Sequence, residues 1–158
     1  MAPDADLDHL RRAVELAAEG LEAGDEPFGS VLVSGDGTVL LEDRNRTADG
    51  DQTRHPEFEL ARWAATNMAP EERAAATVYT SGEHCPMCSA AHGWMGLGPV
   101  VYAVSSVQLG EWRAGWGLPP GPVVALPIGS VAPGVATRGP FEELAVEMRD
   151  LHRRKAGR

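Results

Sequence analysis

The chain has 158 residues, a length that suits one domain with a single buried core. Hydrophobic residues make up 43% and charged residues 23%, and no apolar run approaches the roughly 20 residues that a membrane-spanning helix needs. The net charge of −9 argues against a polynucleotide substrate, because an acidic surface repels a phosphate backbone. We therefore expect one soluble domain over residues 1–158, with no membrane partner and no nucleic-acid partner.

The first residues and the cysteines favour a cytoplasmic location. The starting segment MAPDADLDHLRRA is acidic and polar, whereas a secretory signal has a basic stretch followed by an apolar one. Two cysteines, Cys85 and Cys88, are too few for a secreted fold held by disulfides. Their close spacing is typical of metal binding or redox chemistry.

The predicted elements begin with a helix over residues 4–23, where apolar residues recur at helical spacing and Gly24 provides a stop. Two strands follow at residues 30–33 and 38–42, joined by Ser-Gly-Asp-Gly, whose Asp-Gly pair is a strong hairpin signal. A second helix is predicted over residues 55–68, before a proline.

The second half of the chain continues the alternation. Residues 76–81 predict a buried strand, CPMCSAAHGWMG a helix, and PVVYAVS another strand. Residues 107–122, rich in glycine and proline, predict a short helix and an irregular loop. A last strand is predicted over residues 123–128 and an amphipathic helix over 141–155. The order α, β, β, α, β, α, β, β, α predicts an α/β domain with three layers.

Two of the predicted helices begin with residues that ligate metals. His55 opens one helix, and Cys85 and Cys88 open another. A Cys-x-x-Cys at a helix start puts both sulfurs on one side, able to bind Zn²⁺ at roughly 2.3 Å, and a histidine nitrogen adds a third ligand. The fourth position is left for a water, which zinc acidifies to a pKa of roughly 7 and so makes nucleophilic. The set therefore predicts a catalytic zinc.

Glu57 follows His55 by two residues and can act beside the zinc without ligating it. Attack of a zinc-bound hydroxide on a carbon that bears an amino group requires protonation of a ring nitrogen and of the departing ammonia, and a carboxylate can carry those protons. The alternatives are a structural zinc site or a redox pair of cysteines, with Glu57 only favouring the helix dipole. A redox pair has no need of His55, so we favour catalysis.

The pattern His-x-Glu followed by Cys-x-x-Cys resembles the signature of the zinc deaminases. DQTRHPE at residues 51–57 is similar to Asp-Pro-Thr-x-His-Ala-Glu of that family, and TSGEHCPMC at residues 80–88 to its Ser-x-Glu-Pro-Cys-x-Met-Cys. PFGSVLV at residues 27–33 resembles the first strand of the guanine, cytosine and tRNA-adenosine deaminases. The chain therefore resembles the cytidine deaminase-like superfamily, nearest the nucleobase and tRNA-adenosine branch.

The resemblance implies a three-layer α-β-α sandwich around a five-stranded mixed sheet, usually assembled as a homodimer, with Zn²⁺ as cofactor. It also implies substrate contacts. Asn45 falls where those enzymes carry an asparagine that bonds to the substrate base or its sugar, and Trp94 matches an aromatic residue of bacterial guanine deaminases. The other interpretation of Asn45 is a turn residue that closes a strand. Phe28 and Trp94 either stack on a flat substrate or pack in the core.

Three departures from the family pattern limit what the resemblance implies. Pro56 replaces an alanine or glycine, and His84 replaces a proline. Residues 105–120, SSVQLGEWRAGWGLPP, do not resemble the corresponding guanine deaminase segment, so guanine specificity is not expected. For His84 three positions are open: facing the solvent at a strand end, which we favour, supporting a metal ligand, or contacting the substrate. The roles of Glu83 and Glu111 stay open.

Other residues that stand out have a structural interpretation first. His92 and the pair Trp112 and Trp116 are expected to pack, although two tryptophans about one helical turn apart in a loop could also form a lid or a dimer contact.

Pro56 is expected to be both a helix starter and a substrate determinant. Proline at the first helical position costs no hydrogen bond, because that N–H has no intrahelical partner, and its fixed φ suits a helix. In the family, the residue at this place often offers its N–H to an acceptor on the substrate ring, and Pro56 has no such donor. We expect the usual cytosine-like contact to be missing here.

Three functions are compatible with these residues. The leading hypothesis is hydrolytic deamination of a free nucleobase, nucleoside or related amino-heterocycle, with release of ammonia. The second is adenosine-to-inosine editing of tRNA, against which the acidic surface and the single lysine count. The third is a zinc-stabilised binding module without activity, which has no need of Glu57.

Overall fold

The computed structural model describes residues 3–158 and begins with a helix packed on a β-hairpin. The helix α1 (Pro3–Glu22) has Asp4 and Asp6 in its first turn, where carboxylates favour the helix dipole. The strands β1 (Gly29–Val33) and β2 (Val39–Arg44) pair antiparallel across the Asp-Gly turn. Gly29 allows α1 to approach closely, because a Cβ at this position would collide with the carbonyl oxygen of Ala13 and with Leu16.

Prolines begin three of the helices that follow. The remaining elements are a 3-10 helix (Thr47–Asp49), α2 (Pro56–Asn67), α3 (Pro70–Ala75), β3 (Thr77–Gly82), α4 (Pro86–Met95), β4 (Val100–Val104), α5 (Ser106–Gly115), α6 (Ile128–Val131), β5 (Thr137–Arg138) and α7 (Glu142–Lys155). Pro56, Pro70 and Pro86 occupy the first position of α2, α3 and α4, where the backbone N–H has no intrahelical partner.

The five strands form one mixed sheet in the order β2-β1-β3-β4-β5. β1 is antiparallel to both of its neighbours, whereas β3, β4 and β5 are parallel to one another. The carboxyl ends of β3 and β4, at Gly82 and Val104, therefore lie side by side. We call this end of the molecule the carboxyl end of the sheet.

Helices cover both faces of the sheet, and each face has its own apolar core. One core lies under α1 and α7; among its buried residues are Leu10, Val14, Val31, Tyr79, Val101, Met148 and Leu151. The other lies under α2 and α4; among its buried residues are Leu32, Leu60, Ala61, Ala64, Val78 and Leu97. This confirms the predicted three-layer sandwich with a five-stranded mixed sheet.

The predicted last strand over residues 123–128 is wrong. Prolines at 119, 120, 122 and 127 remove backbone donors from this part of the chain. Val123 and Val124 are 58% and 72% exposed instead of buried in a sheet. The fifth strand is Thr137–Arg138, whose two exposed residues carry no hydrophobic alternation.

Two short helices were also absent from the prediction. Pro70 was interpreted only as the end of the preceding helix, but it begins α3, where the Glu72 carboxylate accepts from the Ala69 N–H at 2.7 Å. The second is α6, whose Ile128 was assigned to the strand. Within residues 3–158, no helix combines the length and the apolar character needed to cross a membrane.

The C-terminal helix α7 brings a buried histidine against the residue that precedes β1. His152 is 6% exposed, and its ring lies edge-on to Phe28 with 5.0 Å between the ring centroids. Burial, together with the positive charge of Arg113, lowers the pKa of His152 to about 4. The imidazole is therefore neutral in the folded protein at neutral pH.

We expect His152 to make the fold sensitive to acid. The folded protein binds this proton only near pH 4, whereas the unfolded chain binds it near pH 6.5, so the free energy of unfolding falls as the pH drops through that interval, by roughly 3 kcal/mol. Urea unfolding of the wild type and of His152→Gln at pH 7 and at pH 4.5 measures the loss. The variant should lose less than the wild type, and His9→Gln, which removes a less buried histidine, is the control. Equal losses in wild type and His152→Gln would contradict this assignment.

Candidate zinc centre

The three predicted metal ligands come together at the carboxyl end of the sheet. His55 is the residue before the first turn of α2, Cys85 is the residue before the first turn of α4, and Cys88 lies in that turn. His55 Nδ1 is 3.6 Å from Cys85 Sγ and 3.5 Å from Cys88 Sγ. All three potential ligand atoms lie within 4.8 Å of one another. They meet because α2 and α4 begin side by side and pack on the same face of the sheet.

The spacing of these atoms fits zinc. Ligands at about 2.0 Å for nitrogen and 2.3 Å for sulfur, arranged tetrahedrally, stand about 3.5 Å apart. The two nitrogen-to-sulfur distances agree with that value. Three protein ligands complete three of the four tetrahedral positions, which is the pattern of a catalytic site.

The charge state of Cys85 also suits a metal. A hydrogen bond from Cys88 lowers the pKa of the Cys85 thiol to about 4. The same bond, together with burial, raises the pKa of Cys88, so that one of the two sulfurs is a thiolate at neutral pH. The hydrogen bond to this thiolate raises the pKa of His55. A thiolate beside an imidazole nitrogen is donor chemistry that zinc accepts well.

Glu57 lies beside the ligands and is almost completely buried. It is 6% exposed in the first turn of α2. Its Oε1 accepts a hydrogen bond from the Ser30 hydroxyl at 3.2 Å, and Thr80 Oγ1 lies 3.3 Å from the same oxygen. Burial raises the pKa of Glu57, although the nearby His55 opposes the shift. A carboxyl group with a raised pKa can both accept and donate a proton near neutrality.

Ser30 and Thr80 were missed by the sequence analysis. They are cross-strand partners on β1 and β3, and their hydroxyl oxygens are 2.9 Å apart. Both are completely buried. A signal was available for Ser30, a small polar residue that begins an otherwise apolar run in β1, whereas Thr80 lies next to Ser81 and does not stand out.

Two predicted substrate contacts lie on the segments that flank β1 and β2. Asn45 is 2% exposed, and its Oδ1 accepts from the backbone N–H and the hydroxyl of Thr47 at 3.1 and 2.8 Å. The backbone N–H of Asn45 donates to the Phe28 carbonyl oxygen at 3.0 Å. The half-buried Phe28 ring lies against Gly82 at the end of β3, as well as against His152. Asn45 thus has the geometry of a turn residue, and within residues 3–158 its side-chain amide nitrogen makes no hydrogen bond.

Trp94 and Pro56 occupy different surroundings. Pro56 is buried and directly joins His55 to Glu57. Trp94 is 86% exposed and borders an apolar cavity of about 680 Å³, whose lining includes Gly96, Pro99 and Ala136. Those residues precede the beginnings of β4 and β5, opposite to the carboxyl end of the sheet. Within one chain, the structure therefore does not bring Trp94 to the metal ligands.

The expectation that His84 faces the solvent is wrong. His84 is completely buried, and its ring lies edge-on to His92 with 5.2 Å between centroids. Burial lowers the pKa of His84 well below its usual value, so the imidazole is neutral. The packing expected of His92 and Trp112 is confirmed: His92 Nε2 is 2.7 Å from the Gly98 carbonyl oxygen, and Trp112 packs against the core under α1 and α7.

Comparison with known proteins agrees with this site. The sequence profile of the cytidine and deoxycytidylate deaminase zinc-binding region matches residues 3–104. The chain is 32% identical over 106 residues to a Schizosaccharomyces pombe protein named probable cytosine deaminase, covering 67% of this chain and 64% of that one. It is 38% identical over 104 residues to the guanine deaminase of Bacillus subtilis, covering 65% and 66%. The match thus spans slightly less than two thirds of each of these two relatives.

A solved structure extends the likeness of the fold to the C-terminal part. The guanine deaminase from Nitrosomonas europaea superimposes with a TM-score of 0.66 at 19% identity, covering 96% of this chain and 85% of that one. At this identity the likeness concerns the fold alone.

We expect the purified protein to contain about one zinc per chain, held by His55 and the two cysteines. Metal analysis should show that Cys88→Ser and His55→Ala lose most of the zinc. Met87→Leu, a change in the same turn of α4 that removes no ligand, should keep it. A thiol reagent should react with both cysteines only after a chelator has removed the metal. Full zinc content in Cys88→Ser would contradict the assignment.

Proposed function

Because this chain belongs to the cytidine and deoxycytidylate deaminase zinc-binding family, we propose that it is a zinc-dependent hydrolase of C–N bonds that deaminates a free nucleobase, nucleoside or related amino-heterocycle. The observation that carries the proposal is the position of the buried Glu57 beside three convergent zinc ligand atoms. We assign the activity to one domain that spans the chain.

The proposed roles divide between holding the metal and moving protons. Zinc, when bound, lowers the pKa of a water in its open position and so supplies a nucleophile at neutral pH. His55, Cys85 and Cys88 hold the ion at the start of two helices. The substrate carbon that bears the amino group would have to lie against the open side of this ligand set.

Glu57 is the proposed proton carrier. Ser30 and Thr80 fix its Oε1, which leaves Oε2 to carry two protons in turn. The first passes from the attacking water to a ring nitrogen, and the second passes from the new hydroxyl on the substrate carbon to the amino group, which leaves as ammonia. The raised pKa of Glu57 favours the acceptance step, because a carboxylate with a raised pKa binds a proton more readily before passing it on. The reaction consumes water and releases ammonia.

The surface and composition support a small substrate. The net charge is −9 and the chain contains a single lysine, so the electrostatic attraction that polynucleotide binding uses is weak. We propose that Phe28 stacks on the ring and that the Asn45 amide nitrogen donates to it. Trp94 can take the stacking role assigned to it only in an assembly of two chains. The homodimer, which would cover this exposed tryptophan, is part of the proposal.

A cytoplasmic location also belongs to the proposal. Both cysteines must remain reduced to bind zinc, and the cytoplasm maintains thiols in that state.

We expect Glu57→Gln to retain zinc and to lose ammonia release by a factor on the order of 10²–10⁴, since the amide cannot carry protons. Ammonia production from a panel of aminopurines, aminopyrimidines and their nucleosides, together with zinc content, measures both effects. Glu59→Gln is the matched control, because it makes the same change in the same helical turn, where the side chain is less buried.

The outcomes of this panel separate the alternatives. Ammonia release at a near-normal rate in Glu57→Gln would refute the mechanism. Stoichiometric zinc with no release by the wild type from any compound would favour a binding module. Tight binding and deamination of an anticodon stem-loop at moderate salt would instead favour tRNA editing.

We expect Pro56→Ala to change the order of preference among the substrates of the panel. The substitution restores a backbone N–H at the first position of α2, so compounds with a ring carbonyl at the corresponding place should gain in kcat/KM relative to the others. Pro70→Ala, the same change at the start of α3, is the control. An unchanged order in Pro56→Ala would mean that the proline only starts the helix.

A further inference from the structure

Glu83 lies at the end of β3, two residues before Cys85, and its carboxylate binds two separate parts of the chain. Its backbone N–H donates to the Val104 carbonyl at 2.8 Å, which fixes the residue at the carboxyl end of the sheet. The Ser106 N–H donates to its Oε2 and the Ile128 N–H to its Oε1, both at 2.8 Å. Both carboxylate oxygens are therefore used.

The two donors are the first N–H groups of α5 and α6. Such groups have no partner inside their helix, and a carboxylate satisfies them with a charge-assisted hydrogen bond. Ser105 caps another donor of α5 by accepting from the Gln108 N–H at 3.1 Å. Glu83 thus supplies the contact that the local sequence of α5 and α6 does not provide for these two groups.

These helices belong to opposite faces of the sheet. Trp112 of α5 packs against the core under α1 and α7. The helix α6 packs against α4, the helix that carries Cys88. Glu83 therefore joins the two helical layers at the end of the sheet where the metal ligands lie.

The part of the chain that follows α5 is irregular and exposed. Residues 117–127 form neither helix nor strand, and most of them are exposed. Val124 is 72% exposed, whereas Ile128, which follows this run, is 2% exposed. The segment from Ser106 to Ile128 thus begins and ends with a hydrogen bond to the Glu83 carboxylate.

We infer that Glu83 is a positioning residue, which fixes residues 106–128 as a wall of the substrate site beside the zinc ligands. The inference rests on the proposed function, because the wall matters only if a substrate binds at that zinc. Loss of the carboxylate would leave His55, Cys85 and Cys88 in place but would loosen the wall. Substrate affinity should then fall while zinc binding persists.

The test compares Glu83→Gln with Glu83→Asp and with Glu111→Gln, a control on the exposed side of α5. In Glu83→Gln the side-chain NH2 group faces one of the two backbone N–H donors and cannot accept a hydrogen bond from it. Hydrogen exchange at the backbone amides of Ser106 and Ile128 should therefore accelerate about 10-fold or more. KM should rise about 10-fold with kcat changed less than about threefold, and zinc content should stay at that of the wild type. Glu83→Asp keeps the charge and should recover part of both effects.

Each outcome supports or overturns the inference. Unchanged exchange at both amides in Glu83→Gln would show that the carboxylate is not the anchor. Faster exchange or a lower Tm with unchanged KM would reduce Glu83 to a structural role. If Glu83→Gln does not fold, Glu83→Asp, which can reach only one donor well, carries the same comparison. If the wild type releases no ammonia from the panel, the proposed function fails. The exchange measurement is independent of that result: unchanged exchange at Ser106 and Ile128 in Glu83→Gln would still show that Glu83 does not hold these two segments.

Discussion

The site depends on two helices that start at the same point. His55 and Cys85 each precede a helix, and each is followed by a proline that suits the first turn. Because α2 and α4 pack side by side on one face of the sheet, the histidine nitrogen and the two sulfurs converge. A slip of one helical turn, about 5.4 Å, would separate the ligands beyond what one zinc can bridge. The apolar core under these helices, which includes Leu60 and Ala64, therefore fixes the positions of the potential ligands as well as the fold.

The second constraint is the burial of the Glu57 carboxyl group beside the potential metal ligands. Burial of Glu57 raises its pKa and costs free energy, which the hydroxyls of Ser30 and Thr80 offset by bonding to one oxygen. These two residues face each other across β1 and β3. A register slip of one residue would put Val31 or Tyr79 in their place, so the pairing of the strands determines how Glu57 is held.

The fold and the metal ligands were predictable from the sequence because both depend on strong local signals. Helical periodicity, buried strands and an Asp-Gly turn identify most of the elements, and the spacing of His55 and the cysteines matches a known signature. The strand predicted over residues 123–128 is wrong because an apolar run forms a strand only when backbone donors and a partner strand are available. The prolines in and around this run remove donors. Thr137–Arg138 pairs with β4 despite its polar sequence. Its strand conformation comes from its place beside β4 in the sheet and not from a local sequence pattern. The contacts of Glu83 join residues 45 positions apart, which no local pattern reveals.

Two of the three departures from the family pattern adjoin the potential metal ligands. Pro56 follows His55 and has no backbone N–H, whereas His84 precedes Cys85 at the place where the zinc deaminase signature has a proline. Among the described residues, neither ring nitrogen of His84 has a hydrogen-bond partner, and leaving a buried polar group unsatisfied costs about 1–3 kcal/mol. The potential metal-ligand atoms of His55, Cys85 and Cys88 nevertheless lie within 4.8 Å of one another. The departures therefore leave the metal site intact and alter the backbone and the packing beside it, which is where selectivity among heterocycles would be decided.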